Sequence, residues 1–174
     1  DETLAHWIER HVTFPSTMVD RIVPATTAAD IAENDAALGL IDAAPVVCEP
    51  FRQWVIEDAF VAGRPPWEAA GAELVTDVAP FEAMKLRLLN ASHQAIAYLG
   101  APLGYVFVDE ALRDDTIRAY LEQYMALEAA PTLGDLPGID LDDYMATLIE
   151  RFSNPKMRDT LKRLATDGSN RMAT

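Results

Sequence analysis

The chain has 174 residues, of which 50% are hydrophobic, enough for one large domain with a sizeable core or for two small ones. Its 14 Lys and Arg stand against 28 Asp and Glu, a formal net charge of −14 that repels phosphate backbones and anionic lipid and so argues against nucleic acid and membrane surfaces as partners. One cysteine, Cys48, excludes an internal disulfide, and His6, His11 and His93 lack the spacing of a zinc site, so no metal is expected.

At the N-terminus, DETLAHWIER has neither the basic start nor the apolar centre of a signal peptide. No apolar run approaches the roughly 20 residues that span a bilayer, and a cytoplasmic protein is expected. The first residue is Asp and the last stretch is DGSNRMAT, so both ends look cut. His6 and His11 fall on a short amphipathic helix. TFPSTMVDRIVPATT is broken by Pro15 and Pro24, whereas FRQWVIEDAF alternates loosely and predicts a short extended segment. GRPPWEAAGA restarts a helix that ends near Gly71, and AELVTDV reads as another short strand. From Pro80 to Gly100 no residue breaks a helix of some twenty residues.

Helical periodicity is clearest in the second half. Ile117, Tyr120, Leu121, Tyr124 and Leu127 share one side of a helix from Thr116 to about Glu128, stopping before Pro131. Leu141, Tyr144, Met145, Leu148, Ile149 and Phe152 form the stripe of another, behind Asp140 as N-cap. A last helix is predicted with Asn154 as cap, Pro155 in its first turn, and Met157, Leu161 and Leu164 buried. The fold expected is mainly α: a multi-helical domain with a few short strands, built around one long buried helix, with no internal repeat or linker to mark a domain boundary.

That long helix carries an unusual polar set. At about 100° per residue, with Lys85 at zero, Glu82 falls near 60°, His93 near 80° and Asn90 near 140°, so all four share a face. Leu86 and Leu89 lie in the same arc. Packed among leucines, an ammonium is disfavoured and its pKa falls. Such a lysine can take a hydroxyl proton as hydride leaves the same carbon. Asn90 can donate to the oxygen where charge develops, and His93 can orient the hydroxyl. Glu82, one turn before Lys85, can pair with it or pass its proton to solvent. The same residues also fit a plain description: Glu-x-x-Lys is often an exposed salt bridge, and a lone helical His is often structural.

The string Lys85-x-x-x-x-Asn90-x-x-His93 resembles the signature of the long-chain mannitol dehydrogenase family of polyol and sugar-acid dehydrogenases. FPSTMVDRIVPATT is similar to that family's linker between nucleotide and substrate domains, and FSNPKMRDTLKRLATDGSNR to its C-terminal helices. Several long blocks in order cover essentially the whole chain. The resemblance implies Lys85 as general acid/base, Asn90 at the oxyanion site, His93 on substrate and Glu82 in proton passage. It also places Asp20 and Arg163 near the substrate, although Asp20 is equally a cap for backbone donors and Arg163 equally part of a solvated face with Arg158 and Lys162. Within the family, the block ending in AYLGAPLGY is most similar to D-mannonate oxidoreductases, also called fructuronate reductases. A uronate carboxylate suits a bidentate Arg. The mannitol type, acting on a neutral polyol and its ketose, stands close behind, and a helical interaction module that has lost its chemistry is the non-enzymatic alternative.

Hydride transfer needs a nicotinamide, and its usual protein signature is a GxGxxG turn. The glycines, at 39, 63, 71, 100, 104, 134, 138 and 168, never fall two apart. The resemblance therefore implies that residues 1–174 are the C-terminal substrate-binding domain, that NAD is held mainly by an N-terminal Rossmann domain absent from this chain, and that the piece alone neither binds cofactor tightly nor turns over. NAD against NADP and oligomeric state stay open.

Overall fold

The computed structural model describes residues 1–166. Three strands make one mixed sheet: β1 (Thr17–Asp20) pairs antiparallel with β2 (Gln53–Glu57), which pairs in parallel with β3 (Glu73–Val75). Side chains alternate across a strand, so β1 turns Met18 and Asp20 inward and leaves Thr17 and Val19 outside. The placement of Asp20 thus follows from the pleat.

Two helices flank the sheet strands in sequence. α1 (Glu2–His11) is capped by Asp1, which accepts from the Thr3 N–H, and α2 (Ala28–Leu38) is opened by a capping box between Thr27 and Asp30 and closed by Gly39 at φ 68°. Neither helix buries a single residue. Trp7, Phe14, Leu38 and Ile41 all lie more than half exposed.

Residues 79–100 form the long helix in three parts: α3 (Ala79–Met84), a π-helical turn (Lys85–Asn90) and α4 (Ala91–Gly100). In the middle part the Ala91 N–H reaches back five residues to the Leu86 carbonyl, the signature of a turn widened by one residue. Met84, Leu88 and Ile96 are fully enclosed. At Gly100 a Cβ would sit 2.8 Å from Leu161 Cδ1 and 3.0 Å from Ala111 Cβ, so bare backbone lets α5 (Val108–Ala111) and α8 (Leu161–Leu164) close on the helix. α6 (Asp115–Gln123) continues into a second π-helical turn (Tyr124–Ala129), and α7 (Leu141–Phe152) starts on Asp140, which accepts from the Asp142 and Asp143 N–H groups.

Three sequence expectations need correction. The fold is not a mainly helical domain with incidental strands: β1, β2 and β3 form one continuous sheet whose inner face contributes Met18 and Val55 to the same core as the helices. The long helix is not buried all round, since Leu86 is 44% exposed and Arg87 lies outside. The last helix does not begin at Asn154. Arg158 adopts φ 27°, a left-handed conformation that no helix accepts, and the segment then pairs with Phe107 through Thr160, the Val108 N–H donating to the Asp159 carbonyl. Only Leu161–Leu164 coil, capped by Thr160. The stretch DGSNRMAT and the end of the block FSNPKMRDTLKRLATDGSNR lie outside the described residues.

One buried network joins sheet to helices. Arg151, on the buried side of α7, donates to Asp20 Oδ2 at 2.9 Å and Oδ1 at 2.8 Å, and to Glu49 Oε1 at 2.7 Å. Tyr144 Oη donates to Asp20 at 3.1 Å, Glu49 Oε1 accepts from the Ile22 N–H at 2.6 Å, and the Phe51 ring covers the guanidinium. Burial works against the Arg151 charge, yet the bonds to Asp20 and Glu49 hold its pKa above the ordinary value. Removing the cation strands two buried carboxylates, and breaking such a pair is destabilising by roughly 3–5 kcal/mol. Arg151→Ala is therefore expected to lose about that much in urea unfolding; a loss below about 1 kcal/mol would show the network to be dispensable.

Candidate functional site

The residues singled out in the sequence gather where the long helix passes β1 and α7. Lys85 is half-buried, and its Nζ donates to the Val19 carbonyl at 2.6 Å. β1 is an edge strand, so a backbone carbonyl can be met from its side, while the neighbouring Asp20 side chain points inward to Arg151. The lysine is thus bound to the backbone of the residue before Asp20, at the rim of the polar network. Glu82 is exposed, and among the described residues no ion pair joins it to Lys85.

Asn90 is half-buried and its side-chain amide has no hydrogen-bond partner among the described residues. Lys85 and Asn90 are the first and last residues of the π-helical turn. Residues five apart are bonded neighbours in such a turn, whereas on a regular α-helix they diverge by roughly 140°. The widened turn therefore draws the amine and the amide toward one line on the helix surface.

His93 follows on the same face and is 7% exposed, its ring packed on Phe152 with centroids 4.4 Å apart. Burial pushes its pKa down to about 4, opposed first by Asp159, while Arg151 and Arg163 reinforce the fall. At neutral pH the ring is uncharged, with one nitrogen to donate and one to accept. Arg163 is held by Asp159, its Nε donating to Oδ1 at 2.8 Å and a second nitrogen completing the fork; those bonds raise its pKa, against the cost of burial. Asp20 is spoken for as well, both oxygens bound by Arg151 and one also by Tyr144. The structure so brings Lys85, Asn90 and His93 to one helix face and sets Asp20 and Arg163 behind it, engaged by other side chains.

Sequence reasoning missed Arg151, Glu49 and Asp159. For Arg151 a signal existed: it stands seven residues after Tyr144 and three after Leu148, inside the apolar stripe of α7. Glu49 and Asp159 lie in irregular segments that no periodicity describes.

Comparison with known proteins identifies the family. Residues 77–174 match the mannitol dehydrogenase C-terminal domain, and residues 1–69 match the mannitol dehydrogenase Rossmann domain. The chain belongs to the mannitol dehydrogenase family. It is 54% identical to the uncharacterized oxidoreductase YdfI of Escherichia coli and 51% identical to the D-mannonate oxidoreductase of the same organism, each over 99% of this chain and 35% of the relative. The solved structure of Pseudomonas fluorescens mannitol 2-dehydrogenase, a ternary complex with NAD and D-mannitol, superposes with a TM-score of 0.89 at 49% identity, covering all of this chain and 35% of that one. The chain thus spans about a third of the length of the curated relatives it matches. The Rossmann match also corrects the expected fold class: β1 and β2 fall inside it, so the chain is not purely a helical C-terminal domain. No helix among the described residues is long and apolar enough to cross a membrane.

The depressed His93 pKa makes a stability statement. An unfolded His titrates near 6.5 and the folded one near 4, so below pH 6.5 the unfolded chain binds the proton that the fold refuses. Stability from this group is whole above pH 6.5 and is lost as pH falls toward 4, by on the order of 3 kcal/mol. His93→Asn should flatten that limb in thermal melts between pH 7 and 4; an identical acid limb in the variant would show that His93 takes its proton as readily folded as unfolded.

Proposed function

We propose that this chain is the substrate-side part of an NAD-dependent secondary-alcohol oxidoreductase that interconverts a sugar acid with its keto form, D-mannonate and D-fructuronate being the first pair to test. The observation that carries the proposal is the Asn90 amide, left without a protein partner on the same widened turn as Lys85 and one turn before an uncharged His93. A secondary hydroxyl placed there meets a donor, a base and an orienting ring at once.

In the oxidation direction, the carbon–hydrogen bond breaks with its electron pair and the hydroxyl proton leaves. NAD supplies the hydride acceptor when bound. This chain's residues do not fit the dinucleotide itself, since no two glycines stand two apart to make the phosphate-binding turn; we place that cradle outside these residues, where Leu4 and Trp7 of α1, both more than half exposed, point to a missing neighbour. Lys85 takes the hydroxyl proton on its nitrogen while an N–H stays bound to the Val19 carbonyl, and the exposed Glu82 one turn earlier passes the proton on to solvent. Asn90 donates to the oxygen as negative charge grows on it. His93, packed at a 46° tilt against Phe152, fixes the direction of the hydroxyl. Asp20 and Arg163 shape the wall behind them. Without the rest of the nucleotide-binding domain the chain should not turn over.

A second reading, a neutral polyol such as D-mannitol with its ketose, is favoured by the state of Arg163. Its guanidinium fork is already taken by Asp159, leaving less of it for a uronate carboxylate.

The chain joined to a complete nucleotide-binding domain is expected to change NADH absorbance with D-mannonate or D-fructuronate, or else with D-mannitol or D-fructose. Lys85→Ala should lower kcat by more than about tenfold with an unchanged melting temperature. Undiminished turnover in that variant removes Lys85 from the chemistry, and no NADH change with any of the four compounds favours a non-catalytic helical module.

A further inference from the structure

The long helix is not the only one with a widened turn. α6 runs into a second π-helical turn, Tyr124–Ala129, in which the Ala130 N–H reaches five residues back to the Met125 carbonyl. The two widened turns pack against each other. They are also tied reciprocally. Tyr124, the first residue of the second turn, donates its hydroxyl to the Arg87 carbonyl inside the first at 3.1 Å. Arg87 in turn extends its guanidinium to the Thr132 carbonyl at 2.6 Å and the Thr132 hydroxyl at 3.2 Å, just past the end of the second turn. Thr132 Oγ1 closes the loop by donating to the Ala129 carbonyl at 2.7 Å.

A π-helical turn has looser backbone bonds than an α-helix and survives where something outside the helix supports it. Here an outside donor reaches a carbonyl in the middle of the turn, two residues after Lys85 and three before Asn90. Burial, and next the neighbouring Glu128, hold the Tyr124 hydroxyl protonated, so it remains a donor across the working pH range.

We propose that Tyr124 and Arg87 are positioning residues: their cross-tie keeps residues 85–90 in the five-residue hydrogen-bond register that brings the Lys85 amine and the Asn90 amide onto one line. Relaxed to an ordinary α-helix, the same residues would widen the arc between amine and amide to roughly 140°, the two edges of one broad face, although neither Tyr124 nor Arg87 need touch substrate. This inference rests on Lys85 and Asn90 serving the reaction described under Proposed function.

The test uses the enzyme with its complete nucleotide-binding domain and whichever of D-mannonate or D-mannitol it oxidises. Tyr124→Phe deletes only the hydroxyl. It should lower kcat roughly tenfold with the KM for NAD unchanged, and shift the pH limb of kcat that Lys85→Ala abolishes. Tyr120→Phe, an exposed tyrosine one turn earlier on α6, should leave both as they are. Should Tyr124→Phe fail to fold, Arg87→Ala, which cuts the ties to Thr132, is expected to give the same fall in kcat and the same shifted limb. Wild-type kcat and pH profile in the folded variant, even with a lowered melting temperature, would overturn the proposal, because the bond would then serve stability alone. That outcome is separable from failure of the underlying function, in which Lys85→Ala itself keeps full turnover.

Discussion

A single guanidinium, Arg151, ties α7 to two buried carboxylates from separate parts of the chain. Asp20 comes from β1 and Glu49 from the irregular stretch before β2, and both carboxylates are 1–2% exposed. Burying carboxylates is costly unless they are paired, and Arg151 on α7 has the planar fork that serves both. The consequence reaches the candidate site. β1 is an edge strand, and its Val19 carbonyl accepts from Lys85 Nζ while the next side chain, Asp20, is held inward by Arg151. The strand acts as a ruler between a buried ion network and the amine.

Electrostatics and packing then divide the work on the helix face. His93 is kept uncharged by burial against Phe152, while Asp159, which would favour its protonation, is neutralised by Arg163. Tyr144, whose hydroxyl is pushed up by burial and by Asp20, remains a donor to that carboxylate. Asp20, Arg151, Tyr144, Asp159 and Arg163 thus engage one another behind the face, while the half-buried Asn90 side chain makes no hydrogen bond among the described residues.

Much of the architecture was legible in the residues. α7 announced itself because Asp140 precedes a one-sided apolar stripe, and the long helix because nothing breaks residues 80–100. β2 and β3 were found from short alternation, but their union with β1 into a sheet was not, since strand pairing is set by partners far away in sequence. α2 went unseen although Thr27, Asp30 and Gly39 mark its ends; it buries nothing, so it has no apolar stripe to display. The candidate trio was legible as a shared face, but the device that aligns Lys85 with Asn90 was not. A π-helical turn leaves the residue types unchanged and is imposed by neighbours, here Tyr124 and Arg87. The C-terminal helix was overextended because Asn154-Pro155 imitates a helix start, while the left-handed Arg158 that prevents one has no sequence signature of its own.

The account's central claim is that the Arg151 network sets the position of the Lys85 amine through β1. A double-mutant cycle between Arg151→Lys and Lys85→Ala, read as kcat/KM in the enzyme with its complete nucleotide-binding domain, tests it most directly. The account predicts strong coupling: Arg151→Lys lowers kcat/KM when Lys85 is present and changes it little once Lys85 is gone. Effects that simply add would contradict it, because the network would then support the fold without placing the amine.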